Sequence, residues 1–77
     1  MPKVIVYSSI LCKYCYELKE FLERNGVAFV ERECTFDPQI AREAAEINPK
    51  KSLPTMVANG QVIVGFDPDK VREALHI

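Results

Sequence analysis

The chain of 77 residues has little of several things, and each shortage removes a class of function. Charge of one sign is missing: ten Lys and Arg stand against eleven Asp and Glu, a formal net charge of −1. The basic residues are interspersed with Glu, so there is no electrostatic footprint for nucleic acid or for an anionic membrane. Long apolar runs are absent too, and none approaches the roughly 20 residues of a membrane helix. The start, MPKVIVYSSIL, is apolar but lacks the charged leader, long apolar core and small-residue cleavage site of a secretory signal. A cytoplasmic location is therefore expected. Histidine occurs once, at His76, and cysteine three times, at Cys12, Cys15 and Cys34. An odd count in a reducing compartment argues against a framework of structural disulfides. No linker or low-complexity segment divides the chain, so residues 1–77 are expected to form one domain. That length is near the lower limit for an unaided hydrophobic core.

What is present reads as a globular chain, 48% apolar and 27% charged. KVIVYS, Lys3 to Ser8, is rich in β-branched and aromatic residues and predicts a buried strand. CYELKEFLERNG places Leu18, Phe21 and Leu22 on one helical face, with Cys15 a turn earlier, and Asn25-Gly26 is a helix stop. VAFVERE, Val27 to Glu33, predicts a second, less buried strand. In FDPQIAREAAEI, Asp37 suits an N-cap and Pro38 the first helical position, with Ile40, Ala41, Ala44 and Ile47 as the inward stripe and Asn48-Pro49 as the end. PTMVAN and QVIVGF flank Asn59-Gly60, a two-residue hairpin signal. DPDKVREALHI repeats the Asp-Pro start at Asp67 and Pro68 and turns Val71, Ala74 and Leu75 inward. The likeness of FDPQIAREA to FDPDKVREA reads either as an internal repeat or as two helices capped in the same way; no longer self-similarity supports a repeat. The order β-α-β-α-β-β-α predicts an α/β fold, a parallel βαβ unit continued by an antiparallel hairpin in a mixed four-stranded sheet flanked by helices.

Two cysteines three positions apart suit half a metal site, a staple or a redox pair. Zinc needs four protein ligands, or three and a water, and the remaining candidates are Cys34 and the penultimate His76. No second Cys-x-x-C exists, so no metal is expected. The redox reading places Cys12 at the N-terminus of a helix and Cys15 in its first turn, where Cβ atoms lie about 5–6 Å apart. Free N–H groups, the helix dipole and the neighbouring Lys13 favour a thiolate at Cys12, and thiols so placed have pKa values of about 3.5–7.5. Cys12 is then the exposed nucleophile and Cys15, on the apolar face, the buried resolving thiol. A Cys-x-x-C beside a βαβ pattern is the thioredoxin-like signal.

VIVYSSILCKYCYELKEFLERNGVAF, followed by LPTMVANGQVIVGFDPDKVREAL, resembles the small glutaredoxin-like proteins of the thioredoxin superfamily, including the redoxins that serve ribonucleotide reductase. The resemblance covers nearly the whole chain. It implies a dithiol disulfide oxidoreductase of protein disulfides or glutathione mixed disulfides, with Cys12 attacking and Cys15 resolving and no bound cofactor. It implies a cis peptide at Pro54, where the residues alone read as a trans proline opening a strand. It gives Leu53 the backbone groups that hold a peptide or glutathione. Lys13, Tyr14, Gly65, Phe66 and Asp67 complete the expected substrate-binding set.

Two positions depart from the usual pattern. Lys13 stands where glutaredoxins usually have proline. GFDPD, Gly65 to Asp69, replaces the Gly-Gly-x-Asp-Asp of many glutathione-using members, and Phe66 is expected to narrow the groove beside Leu53 and Pro54. The expected donors are a flavoprotein of the thioredoxin reductase type or glutathione. The partners are disulfide-bearing proteins, not nucleic acid or membrane, and the chain is expected to be a monomer. Rival readings are an iron–sulfur or metal carrier and a binding domain without turnover. Tyr7 reads as core, Tyr16, Phe29 and Phe36 as packing residues, and His76 as solvated. Cys34 reads as an apolar filler or a regulatory thiol.

Overall fold

β1, Val4–Ser8, forms where the β-branched run predicts it, in a computed structural model that describes residues 4–77; Lys3, the expected first strand residue, lies outside the described residues. It is the centre of the sheet. β2, Val30–Glu33, pairs with it in parallel, and β3, Thr55–Ala58, pairs with its other edge in antiparallel fashion. β4, Gln61–Val64, closes the order β2-β1-β3-β4 as an antiparallel edge strand. Asn59 and Gly60 take φ of 52° and 80°, the positive pair that a two-residue hairpin turn of the strand-matching hand requires.

Three helices cover the sheet. α1, Lys13–Arg24, and α3, Pro68–Leu75, share one face: Val4, Val6, Met56 and Ala58 of the strands bury against Leu18, Leu22, Val71 and Ala74. α2, Pro38–Ile47, lies over the other face, where Glu43 forms an ion pair with Arg32 at 2.9 Å. Tyr7, 2% exposed, points to that side. Burial, with the Glu43 carboxylate nearby, pushes its phenol above the ordinary range, as suits a core group.

The helix ends follow from local chemistry. Asp37 and Asp67 each accept hydrogen bonds from the second and third N–H groups of their helices, Gln39 and Ile40 in one, Asp69 and Lys70 in the other. The two FDP segments are the same capping solution used twice. α1 ends with Gly26 N–H donating to the Glu23 carbonyl and Val27 N–H to Leu22, a Schellman closure made possible by Gly26 at φ 67°.

Several expectations need correction. β2 begins at Val30 rather than Val27, because the closure of α1 occupies Val27 and pairing with β1 starts at Ile5–Val30. Val27 and Phe29 still pack on the core. Ala41 is exposed, so the buried stripe of α2 is narrower than its sequence pattern, with only Ala44 fully buried. Tyr16 and Phe36 are not packing residues: they are 51% and 82% exposed. Among the described residues no helix is long and apolar enough to cross a membrane.

Candidate active site

One end of the sheet gathers the connections that matter. The carboxyl ends of β1, β2 and β4 and the amino end of β3 meet there, as the register Tyr7–Thr55–Val64 and Ser8–Glu33 requires. The loop from β1 to α1 is fixed by small polar groups. The Cys34 N–H donates to the Ser8 carbonyl at 2.8 Å and the Ile10 N–H to the Thr35 hydroxyl at 3.0 Å. The Ser9 and Thr35 hydroxyls are 3.1 Å apart, and the Tyr16 hydroxyl donates to the Ile10 carbonyl. Cys12 follows as the N-cap of α1, its own N–H bonded to the Ser9 carbonyl at 3.1 Å.

The two cysteines are joined as a disulfide, with Cα atoms 5.2 Å apart. Their environments differ. Cys12 is half-buried, and its sulfur accepts the Cys15 N–H at 3.1 Å. Cys15 is completely buried, beside Leu18 on the core face. A sulfur at the cap receives an orphan N–H and faces the positive end of the helix dipole, both of which favour a thiolate after reduction. Lys13 and Tyr14 open the helix, both exposed.

Leu53-Pro54 is a cis peptide, as the resemblance implied. The Pro54 carbonyl accepts the Gly65 N–H at 2.8 Å, which ties the turn before β3 to the turn after β4. Among the described residues no hydrogen bond engages the Leu53 backbone. Gly65 holds a φ of 79°, a conformation that glycine adopts without strain.

Phe66 turns toward α1. Its ring packs edge-on against Phe21 at 5.7 Å, and the Arg72 guanidinium lies over the Phe21 ring at 5.2 Å. The side chain is anchored to α1 and the core, while Leu53 lines a recess with residues of α2. The Asp67 carboxylate occupies the start of α3 by capping it.

Sequence reasoning missed two supporting clusters. Asn48, 3% exposed, donates to the Ser52 carbonyl at 3.1 Å and to the Thr55 hydroxyl at 3.2 Å, while its own carbonyl oxygen receives the Lys50 N–H. This one amide shapes the turn that carries Leu53 and Pro54; the Asn-Pro pair was legible only as a helix stop. Beneath the cysteine loop, the buried Ser8 hydroxyl donates to Glu31 at 2.6 Å, and Lys19 pairs with the same carboxylate oxygen at 2.6 Å. The Lys19 and Ser8 hydrogen bonds hold the Glu31 carboxyl below its ordinary range. Spacing within α1 put Lys19 one turn past Cys15, but nothing local pointed to Glu31. Cys34, just beyond β2, and His76, at the far end of α3, sit at opposite ends of the sheet and are not brought together.

The glutaredoxin family model matches residues 4–63. The chain belongs to the glutaredoxin family. A glutaredoxin of Pseudomonas aeruginosa is 35% identical over 67 residues, spanning 87% of this chain and 80% of its own. Among solved structures, a glutaredoxin of Archaeoglobus fulgidus matches with a TM-score of 0.83 at 25% identity, over 100% of this chain and 89% of the other. The methanoredoxin of Methanosarcina acetivorans matches with a TM-score of 0.85 at 28% identity, over 97% and 85%. In a chain of this family, the adjacent Cys12 and Cys15 form a thiol–disulfide active site, and the protein is a glutaredoxin-like disulfide oxidoreductase.

Proposed function

We propose that the protein reduces disulfides of polypeptides by a dithiol route, with Cys12 as the attacking and Cys15 as the resolving thiol. The carrying observation is the unequal burial of the pair: Cys12 is half-exposed at the cap and Cys15 fully buried. The Cys12 thiolate attacks one sulfur of the substrate disulfide, forms a mixed disulfide and expels the other sulfur as a thiolate that takes up a proton. The Cys15 thiolate then attacks the Cys12 sulfur and releases the second substrate thiol. Two electrons have passed from the dithiol to the substrate, and the Cys12–Cys15 disulfide remains. Lys13 and Tyr14 line the approach, Leu53 lends its free backbone groups to an added strand, and Pro54 and Gly65 hold that edge in place.

For the donor that restores the dithiol we favour a flavoprotein of the thioredoxin reductase type. Phe66, clamped on Phe21, replaces a flexible glycine, and the Asp67 and Asp69 carboxylates stand at the start of α3, where glutathione would bring carboxylates of its own. Glutathione is the second reading, favoured by the Phe66 and Asp67 N–H groups, which engage no described residue. The same reading makes residues 1–77 one domain that works as a monomer in the cytoplasm, where a dithiol stays reduced.

The test replaces Cys12 by Ser and follows NADPH loss with an insulin substrate, supplying either thioredoxin reductase or glutathione with glutathione reductase. Cys12→Ser should abolish turnover, and iodoacetamide should label Cys12 first in the reduced protein. Labelling of Cys34 ahead of Cys12 would overturn the assignment. Fast turnover with glutathione alone, and a Cys15→Ser variant still active on glutathione mixed disulfides, would overturn the choice of donor.

A further inference from the structure

Beside the cysteine end of the sheet, the turn before β3 and the inner side of α2 enclose a recess of about 190 Å³. Its walls are Cys34 just beyond β2, Ala41, Ala44 and Ala45 of α2, and Leu53, with Lys51 and Ser52 also lining it. We propose that this recess takes an apolar side chain of the disulfide-bearing polypeptide, within two residues of the cysteine that Cys12 attacks, and so selects which protein disulfides are reduced. The proposal rests on the polypeptide reading above and adds what the polypeptide must contain.

The position, size, lining and rigidity of the recess support it. The recess is continuous with the active site through Leu53, one residue that both forms a wall and immediately precedes the cis-Pro54 peptide. A chain added along the free Leu53 backbone alternates its side chains between two sides, so one of them is directed toward α2. The volume is sufficient, since an apolar cavity of about 150 Å³ already accepts a benzene-sized group. The walls are mostly apolar, with Lys51 and Ser52 the polar residues among them. Three alanines leave the space open, and burial first, then the nearby Glu33 carboxylate, push the Cys34 thiol above its ordinary range, so its sulfur stays neutral. The space is also held open before any ligand arrives, because Asn48 pins Ser52 and Thr55 on either side of Leu53. Glutathione has no apolar side chain to offer and leaves the recess unused.

The experiment uses two disulfide-bonded peptide series that differ only in carrying Leu or Gly at each position flanking one cysteine. At the position that reaches the recess, the Leu peptide should show kcat/KM about tenfold above the Gly peptide, at the modest end of what burying such a side chain yields. Ala45→Leu, which fills the space from a helix position, should remove that preference, bringing the Leu-to-Gly ratio of kcat/KM to about one. Equal kcat/KM for Leu and Gly at all positions overturns the proposal, and so does an Ala45→Leu variant that keeps the preference. A second readout is independent of turnover. In Cys15→Ser, each peptide is trapped on Cys12 as a mixed disulfide and the rate of Cys34 alkylation is measured. The Leu peptide should slow it at least fivefold relative to the Gly peptide. No mixed disulfide at all would overturn the polypeptide reading itself; a mixed disulfide with Cys34 equally reactive in both would overturn the recess alone.

Discussion

At the scale of the residue, the site depends on groups that never touch a substrate sulfur. Glu31 is held ionised by Lys19 and Ser8, and its carboxyl lies below the ordinary value of 4.5. A depressed carboxyl contributes stability above that ordinary value and loses it as pH falls through the lower, folded value. Urea midpoints at pH 7 and pH 3 should therefore fall further in the parent protein than in Glu31→Gln. At pH 7 the variant should lose no more than about 1 kcal/mol, because the pair is partly solvated. Asn48→Ala should cost more, about 1–3 kcal/mol, since it removes at once the hydrogen bonds to the Ser52 carbonyl, the Thr55 hydroxyl and the Lys50 N–H, and leaves the bond from the Thr55 hydroxyl to the Ser52 carbonyl to hold the turn. It should also lower kcat/KM, because the turn bearing Leu53 relaxes; denaturant melts and peptide kinetics check both halves. The cysteines were legible from residue type and spacing alone. Phe36 was not, because an aromatic in a loop is buried or exposed according to where the loop is tied, and Thr35 ties this one to Ser9 and Ile10 across about 25 residues; nor was Tyr16, which lies on the outer side of α1 and turns its hydroxyl to the Ile10 carbonyl.

At the scale of the element, local chemistry set most boundaries, and it did so where caps and turns are self-contained. Asp37, Asp67 and Asn25-Gly26 cap their helices, and Asn59-Gly60 turns the hairpin, through backbone groups within five residues. Replacing either capping Asp by Ala should cost about 1 kcal/mol, read as a shift in urea midpoint. The Asp67 variant should in addition alter donor kinetics, whereas the Asp37 variant should not. Phe66→Ala should destabilise by about 2 kcal/mol, below the range for a fully buried aromatic because the ring is only partly enclosed. β2 is the element whose start the sequence could not place. VAFVERE alternates well enough for a strand throughout, but a strand exists only where a partner offers its edge, and β1 does so from Ile5 onward. In the same way the contact of Phe66 with Phe21 joins positions 45 residues apart and has no signature in either segment.

At the scale of the whole molecule, the disulfide is a poor staple and a good switch. Closing so short a loop is worth about 2 kcal/mol of chain entropy at most, and thiolate stabilisation at the helix start offsets part of it. Urea melts of oxidised and reduced protein under equal conditions should differ by less than that, and a larger gain on oxidation would mark a structural bridge. The sheet places the cysteines, the cis-Pro54 turn and the recess at one end. The other end holds the hairpin turn at Asn59 and the last turn of α3, which meet where the Asn59 side chain reaches the Ala74 carbonyl. The thiols and the hairpin tip thus lie at opposite ends of the sheet. A bead, a fluorophore or a second protein can be hung from the hairpin tip without shading the thiols, so this small domain carries its own handle.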